Sequence, residues 1–292
     1  MRKKAVRTGE YWGQAQRMNI VQFDYKSAQT LRQLVEFLGP HEIHALFVLG
    51  NALNPSQPCT LYGALENGRV FGVCGYYPNF RSCSLYATKE RASRALVTHA
   101  AARNTVDFLV GTESVIQPAL DELLATGRKL LKPPQHDFYE LDIEKGFRSA
   151  KCPRGKIRLL EERDVDQAIR LLRYLHEESQ EPPIREEERQ QMRANPYTYG
   201  LELDGKIVSI ASTNGLALEA FQILGVVTDP LFRRRGFAKA VCSHLIATMR
   251  DRGAKKAVLF TTPDNAAARK CYLDLGFVIT GQYDVAVFES QK

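Results

Sequence analysis

Residues 223–238 of this 292-residue chain read ILGVVTDPLFRRRGFA, and they decide how its second half folds. The part that ends at Thr228 has the apolar, β-branched composition of a strand, and the Asp229-Pro230 pair ends it. A helix follows, and Gly253 has the residue type that commonly terminates one. A strand that leads through a glycine-containing loop into a helix directs free backbone N–H groups to one point. The stretch therefore predicts an anion-binding site.

The loop residues agree with this prediction. Gly236 would let a ligand approach the backbone closely, and the small Ala238 leaves the first helical turn open. Three consecutive arginines, Arg233, Arg234 and Arg235, add positive charge beside the glycine. On its own, an ordinary basic helix start explains this short pattern better than a ligand site does.

A second motif follows about thirty residues later, after a predicted strand. It reads Asn265-x-x-Ala268-x-x-x-Tyr272-x-x-x-Gly276-Phe277. In this order and at this spacing, the two motifs resemble those of the GCN5-related N-acetyltransferase (GNAT) superfamily, whose coenzyme-A loop has the form Gln/Arg-x-x-Gly-x-Gly/Ala. The resemblance covers about residues 156–288.

The resemblance implies acetyl-CoA as co-substrate and a role for each motif residue. The backbone of Val226 and Val227 would pair with the pantetheine arm where two strands splay apart. The amides from Arg234 through Gly236 and Phe237 to Ala238 would hold the pyrophosphate. Asn265 would face the pantetheine, and Tyr272 would be the general acid that protonates the departing thiolate. Two structural roles stay open, a helix N-cap for Asn265 and a core aromatic for Tyr272.

The acceptor amine must lose a proton before it attacks. For a lysine-like amine this costs roughly 4–5 kcal/mol at pH 7, so a general base would help. Many members of the superfamily carry a glutamate on the fourth strand, but Gln222 occupies the matching position here. Glu219, at the start of that strand, could act directly or through water, although a solvated carboxylate explains it more simply.

An acidic segment precedes this strand region. It contains Glu177, Glu178 and Glu181, followed by Glu186–Glu188. In the superfamily this region flanks the acceptor site, so an acidic lid could attract a cationic amine. A solvated, charged loop and helix is the simpler interpretation.

The hydrophobic pattern predicts a mixed α/β (α+β) chain. The resemblance implies that helices flank a mostly antiparallel sheet, with a GNAT fold in the C-terminal half. The predicted strands are 60–65, 70–76, 84–87, 106–110, 138–143, 156–160, 198–203, 206–212, 221–228, 257–261 and 283–288. The predicted helices are 28–38, 91–103, 114–124, 164–176 with Asp164 as N-cap, 185–193, 236–252 and 265–275.

A polar linker at 149–155 divides the chain into two predicted domains, residues 1–150 and 151–292. The first loosely repeats the element order of the second. Where a phosphate loop would fall, residues 88–93 read TKERAS and lack the glycine. We expect a degenerate GNAT-like domain that shapes the acceptor site without binding coenzyme A.

Composition limits the alternatives. The net charge of +7 and the pI near 9.1 suit a phosphorylated ligand or nucleic acid, but no nucleic-acid-binding motif accompanies them. Six dispersed cysteines without a C-x-x-C pair indicate reduced thiols, a cytoplasmic location and no structural metal. No apolar run is long enough to cross a membrane.

The leading hypothesis is therefore an acetyl-CoA-dependent N-acetyltransferase that acts on a small-molecule or peptide amine. A non-catalytic acyl-CoA-binding sensor is the alternative, in which Gln222 reflects a lost base. Binding to nucleic acid, with acylation secondary, is a third hypothesis.

Overall fold

The structure, a computed structural model, describes residues 18–55, 58–132, 135–175, 179–180, 182–193, 195 and 197–290. Its strands are β1 (Asn19–Phe23), β2 (Thr60–Glu66), β3 (Arg69–Tyr77), β4 (Ser82–Ala87), β5 (Phe108–Thr112), β6 (Leu130–Lys132), β7 (Asp137–Asp142), β8 (Lys156–Leu159), β9 (Thr198–Leu203), β10 (Lys206–Leu216), β11 (Ala220–Thr228), β12 (Lys256–Thr261) and β13 (Val278–Phe288). Its helices are α1 (Ala28–Leu38), α2 (Leu46–Leu53), α3 (Glu90–Ala101), α4 (Glu113–Ala125), α5 (Val165–Leu175), α6 (Glu186–Arg193), α7 (Phe237–Asp251) and α8 (Ala266–Leu275).

The described strands form one sheet, in the order β1-β2-β3-β4-β5-β13-β7-β12-β11-β10-β9-β8, and β6 also pairs with β13. Two pairs in it are parallel, β4 with β5 and β11 with β12. The other described pairs are antiparallel. The predicted fold class is confirmed.

Each half of the chain places its last strand in the sheet of the other half. β7, from the first half, lies between β12 and β13, with Tyr139 opposite Leu259 on one side and Ile279 on the other. The second part of β13 lies beside β5, where Val285 faces Val110. The sheet therefore runs without interruption across the predicted domain boundary.

Separate apolar cores lie under the helices of each half. α7 and α8 cover a core that includes Phe221 and Leu245. α3 and α4 cover a second core that includes Leu96 and Ile116. Full burial of one such side chain contributes about 1.5–3 kcal/mol to folding. These cores hold the helices in place against the sheet.

An aromatic stack joins the halves where the strands are exchanged. The ring of Tyr283 on β13 stacks on Phe138 of β7 at 5.3 Å and on Phe260 of β12 at 5.1 Å. Phe47 of α2 reaches the same ring at 6.4 Å. The contact brings α2, a helix of the first half, against strands of the second.

The predicted helix at 28–38 and strand at 198–203 match α1 and β9 residue for residue. Three elements were missed: β1, β6 and α2. The helix α2 reads LFVLGNAL and is apolar on nearly every side, so it carries no helical period. β1 and β6 have five and three residues, too few to show alternation.

The predicted N-cap at Asp164 was wrong. A 3-10 turn at Glu162–Asp164 precedes α5, which begins at Val165. The Asp164 carboxylate accepts the Glu161 N–H at 2.8 Å and binds Arg158 at 2.6 Å. Its role is to close the turn before the helix.

The predicted linker at 149–155 contains no helix or strand and packs along α7. Ala150 N–H donates to Ser243 Oγ at 2.9 Å. Among the described helices, none has the length and apolar composition needed to span a bilayer.

Candidate active site

Strands β11 and β12 separate after three paired positions. Ala220, Phe221 and Gln222 pair with 256–258, and no register pair joins the described residues beyond them. Gly225, with φ of +61°, lies at a register shift between β10 and β11. Val226 and Val227 thus lie on the part of β11 that has separated from β12. The gap leaves backbone groups of this part available to an extended ligand.

The loop after β11 leads directly into the N-terminus of α7. Asp229 caps a 3-10 turn at Pro230–Phe232 by accepting the Leu231 N–H at 2.9 Å. Arg234 and Gly236 then adopt left-handed dihedrals, with φ of +63° and +77°. The glycine tolerates this conformation without strain, which explains the residue type.

No side chain caps the start of α7, a helix of 15 residues. The first helical hydrogen bond runs from the Ala240 N–H to the Gly236 carbonyl at 3.0 Å. The amides of Phe237, Ala238 and Lys239 come before it and have no acceptor within the helix. The Phe237 side chain points into the core and only its amide faces the loop. These amides and the helix dipole form an electropositive point suited to a phosphate.

The three arginines are exposed around this point. Arg233 Nε donates to the Thr228 carbonyl at 3.1 Å. Arg235 donates to the Leu231 carbonyl at 3.2 Å and lies over the Phe232 ring. Both side chains are thus anchored near the loop, where their charge adds to that of the helix N-terminus.

A cavity of about 430 Å³ adjoins Gly236. Arg148 and the linker residues Lys151 and Pro153 form part of its wall. Lys239 of α7 and Asp274 of α8, which lie 3.5 Å apart, also line it. An added Cβ at Gly236 would lie 3.9 Å from the Pro153 ring, an ordinary van der Waals contact, so the linker lies directly beside the loop. The lining of this cavity carries more basic than acidic side chains, and the cavity adjoins the start of α7 at Gly236.

Asn265 and Tyr272 both have the structural roles that the sequence left open. Asn265 is the N-cap of α8, and its Oδ1 accepts the Ala268 N–H at 3.1 Å. Tyr272 is 7% exposed, and its ring contacts Tyr139 edge-on at 5.8 Å. Burial, followed by the neighbouring thiols, raises the pKa of Tyr272 well above its usual value. Its hydroxyl is therefore protonated throughout the neutral range, as a general acid requires.

Glu219 lies far from this loop. It precedes β11 by one residue, about 20 Å along the strand from Gly225 at a rise of about 3.3 Å per residue. Its carboxylate binds Lys255 Nζ at 2.6 Å and is half exposed. Gln222 is buried, and its Oε1 accepts from Asn214 Nδ2 at 3.4 Å. The geometry favours a charge-pair role for Glu219 over proton transfer.

A cleft of about 1470 Å³ lies between the two halves. The second half lines it with α5, α6 and the part of β11 at Leu224 and Gly225, and the first half lines it with α2 and β4. Near Gly225, Ser212 Oγ and Thr198 Oγ1 share a hydrogen bond at 2.9 Å. The cleft thus opens beside the separated strands.

The acidic segment does not present a net negative surface to this cleft, so the acidic-lid hypothesis is not supported by its described residues. Glu188 binds Arg173 at 3.1 Å, and Glu186 binds Arg193 at 2.7 Å. Arginines of the same region neutralise these carboxylates. Glu177, Glu178 and Glu181 lie outside the described residues.

The described residues of the first half do not form a corresponding anion site. Only Thr88 and Lys89 connect β4 to α3, whereas residues 229–236 connect β11 to α7. The first turn of α3 carries Glu90, which opposes a bound anion. An added Cβ at Gly111 of β5 would lie 2.8 Å from the Leu85 carbonyl, so β4 and β5 stay close where β11 and β12 separate.

Sequence reasoning missed the contributions of the first half to the cleft. Asn51 of α2 and Ser84 of β4 line it, although no motif marks either residue. A polar residue inside the apolar run 45–53 was the signal that could have identified Asn51.

Comparison with known proteins relates this geometry to other chains. Residues 164–277 match the model of the acetyltransferase (GNAT) family. Over 79 residues the chain is 32% identical to the ribosomal protein bS18-alanine N-acetyltransferase of Escherichia coli (strain K12). That match covers 27% of this chain and 53% of the enzyme, so the chain spans about half the length of the curated relatives it matches.

Solved structures share the fold over most of the chain. A tandem GNAT protein from the clavulanic acid biosynthesis pathway aligns with a TM-score of 0.60 and 14% identity, over 94% of this chain and 99% of that chain. An acetyltransferase described as GNAT from Novosphingobium aromaticivorans aligns with a TM-score of 0.55 and 22% identity, over 75% and 89% of the chains. The separated strands and the uncapped helix lie within residues 164–277, the part of the chain that matches the model of the acetyltransferase (GNAT) family.

Proposed function

We propose that this chain transfers the acetyl group of acetyl-CoA to an amine. One observation carries the proposal: the gap between β11 and β12 ends at the uncapped N-terminus of α7, beside the left-handed Gly236. An extended arm with a pyrophosphate at one end fits this arrangement. The family match at 164–277 and the curated N-acetyltransferase relative support it.

Different residues bind different parts of acetyl-CoA. The backbone of Val226 and Val227 pairs with the pantetheine arm, and the amides from Arg234 to Ala238 bind the pyrophosphate. Arg233 and Arg235 screen its charge. The basic cavity beside Gly236 receives the nucleotide end, with Arg148 and Lys151 on the linker side. Asn265 orients the start of α8 next to the arm.

In the reaction the amine nitrogen forms a bond to the acetyl carbon, the carbon–sulfur bond breaks, and the nitrogen loses a proton to solvent, from which Tyr272 is later reprotonated. Tyr272 donates its phenolic proton to the departing sulfur. An amine that attacks must first be neutral, which costs about 1 kcal/mol at pH 7 for an α-amine of pKa near 8 but about 4–5 kcal/mol for a lysine. A weakly basic acceptor therefore reacts more readily at this site.

The first half acts on the acceptor side. Its α2 and β4 form one wall of the cleft, and its β4–α3 connection has no room for a phosphate loop. The two domains we propose, 1–150 and 151–292, thus have different functions, acceptor binding and coenzyme-A binding, although they share a sheet. One coenzyme A binds per chain, in the second half.

Acetyl transfer is tested with the purified chain, acetyl-CoA and a panel of amines. Release of free thiol and the mass of the product are both followed. Acetylated product is expected from at least one amine, and the Gly236→Glu variant should form none. Binding of coenzyme A with no transfer to any amine would instead support a non-catalytic acyl-CoA sensor.

A further inference from the structure

Among the described residues that line the cleft between the halves, Asn51 has a buried amide nitrogen without an oxygen or nitrogen acceptor. Asn51 lies on α2, which is otherwise apolar apart from Gly50, and it is 8% exposed. Its Nδ2 is buried, and among the described residues only the Cys59 thiol interacts with it. Asn51 lines the cleft. A buried amide donor without an acceptor is costly, and such a group calls for a ligand oxygen.

The surroundings of Asn51 do not supply that oxygen. The thiol of Cys59, which lies close enough to interact with the amide, is a weak acceptor. Leu46, Phe47 and Val110 line the cleft around it with apolar surface. A ligand here would place an oxygen on the Asn51 amide and apolar groups on the neighbouring side chains.

Leu224 and Gly225, where the acetyl group would be delivered, line the same cleft. An acceptor that fills the cleft therefore needs an amine at one end and a hydrogen-bond-accepting oxygen farther along. Its volume of about 1470 Å³ exceeds the roughly 300–1,000 Å³ of sites that enclose a small ligand. Repeated carbonyls, an amine end and apolar side groups are the features of a peptide.

We propose that the acceptor is a peptide with a free N-terminus, and that Asn51 is a specificity-determining residue that donates to one of its carbonyl oxygens. This rests on the proposed acetyl transfer. The first half then selects the acceptor while the second half binds acetyl-CoA. Amines without carbonyl groups, such as polyamines, do not form this hydrogen bond with Asn51.

The test compares three probes with the full-length chain: unblocked tetrapeptides of varied first residues, amino acid amides and spermidine. Asn51→Leu removes the amide and nearly preserves its volume. For the tetrapeptides its acceptor KM should rise about 10–100-fold, the effect of losing one hydrogen bond to a buried group. The KM for acetyl-CoA and transfer to spermidine should stay unchanged.

Asn54→Leu is the matched control. Asn54 also lines the cleft from the end of α2, but its Nδ2 already donates to the Leu216 carbonyl at 3.0 Å. Its loss should lower the melting temperature, whereas Asn51→Leu, which removes a donor without an oxygen or nitrogen acceptor, should not. Calorimetric titration of a tetrapeptide into the chain saturated with coenzyme A gives a readout independent of turnover, and Asn51→Leu should weaken that binding by the same factor.

Two results would overturn this proposal and leave acetyl transfer intact. One is transfer to spermidine or amino acid amides with no transfer to any tetrapeptide. The other is a tetrapeptide KM that Asn51→Leu leaves unchanged. If no amine in the panel is acetylated, acetyl transfer itself fails, and the calorimetric titration still decides whether Asn51 binds a peptide.

Discussion

The carboxylate oxygen Oε1 of Glu42 accepts the backbone N–H of Ala220 at 2.9 Å, and it also accepts the N–H groups of the two residues before it, at 2.6 and 2.8 Å. Glu42 belongs to the first half and lies just before α2, whereas Ala220 begins β11. The Glu42 side chain thus connects the segment before α2, a helix that lines the cleft, to the start of β11.

Replacing Glu42 with Ala should lower the free energy of unfolding by about 1–3 kcal/mol, because three backbone donors lose a charged acceptor. Thermal melting measures the change. Glu36→Ala, an exposed glutamate on α1, is the matched control and should stay within about 0.5 kcal/mol of the parent. Equal melting temperatures for both variants would show that Glu42 does not tie the halves together.

Gly236→Glu should abolish measurable binding of coenzyme A, because it places a carboxylate where the pyrophosphate is expected. Isothermal calorimetry measures the affinity. Gly253→Glu is the control, since Gly253 has φ of +101° and follows the other end of α7, with no atom within 4 Å of an added Cβ. Both variants share the strain of a left-handed non-glycine residue, so a loss seen in both would point to misfolding.

Calorimetry should also give a stoichiometry of one coenzyme A per chain. The first half offers a connection of two residues and a glutamate at the helix start, where the second half offers a loop and free amides. A stoichiometry of two would mean that the site at Thr88 and Lys89 binds the ligand despite this geometry.

Tyr272→Phe should lower kcat by about one hundred to ten thousand fold and leave the KM for acetyl-CoA nearly unchanged, since it removes a proton donor and keeps the ring. The measurement requires conditions under which chemistry limits turnover. Tyr139→Phe removes a neighbouring buried hydroxyl that interacts with the Asp137 carboxylate, and it should keep kcat within a few fold. A near-normal kcat for Tyr272→Phe would show that Tyr272 acts only as an aromatic residue of the core.

Asp284→Asn should stabilise the protein above pH 6. Burial, followed by the charge of Glu113, raises the pKa of Asp284 to about 6, whereas an unfolded aspartate has a pKa near 3.9. The folded state holds the proton more tightly, so this group costs stability as pH rises from about 4 to 6. The variant should gain up to about 2–3 kcal/mol at pH 7, and the gain should vanish below pH 4. A difference that is constant with pH, measured by denaturant unfolding, would contradict this.

Local chemistry explains why much of the second half could be predicted. The conformation of the loop around Gly236 depends on residues that are close in sequence, so the strand, the glycine and the helix start could be recognised as a pattern. The structure gives Gly236 the expected left-handed φ of +77°. Asn67-Gly68 and Asp204-Gly205 are dipeptides typical of β-hairpin turns, and each joins two strands that pair. The predicted elements at these places are confirmed.

The remaining features depend on residues far apart in the chain. The alternation around Phe138 predicted a strand but could not identify its neighbours, because β12 and β13 lie more than one hundred residues later. The burial of Asn51 follows from the packing of α2 between the halves, which no local pattern encodes. Glu219 stood near the expected position of a base, but its distance from Gly225 and its pairing with Lys255 appear only in the folded chain.

The exchange of β7 and β13 affects how the protein can fold during synthesis. β7 finds both of its neighbours only after β12 and β13 have left the ribosome, and β5 gains β13 only when residues 283–287 have been made. Neither half can complete its sheet while the other is missing, so vectorial folding from the N-terminus stalls with an open strand edge. The nascent chain therefore exposes these strand edges until β13 has been translated.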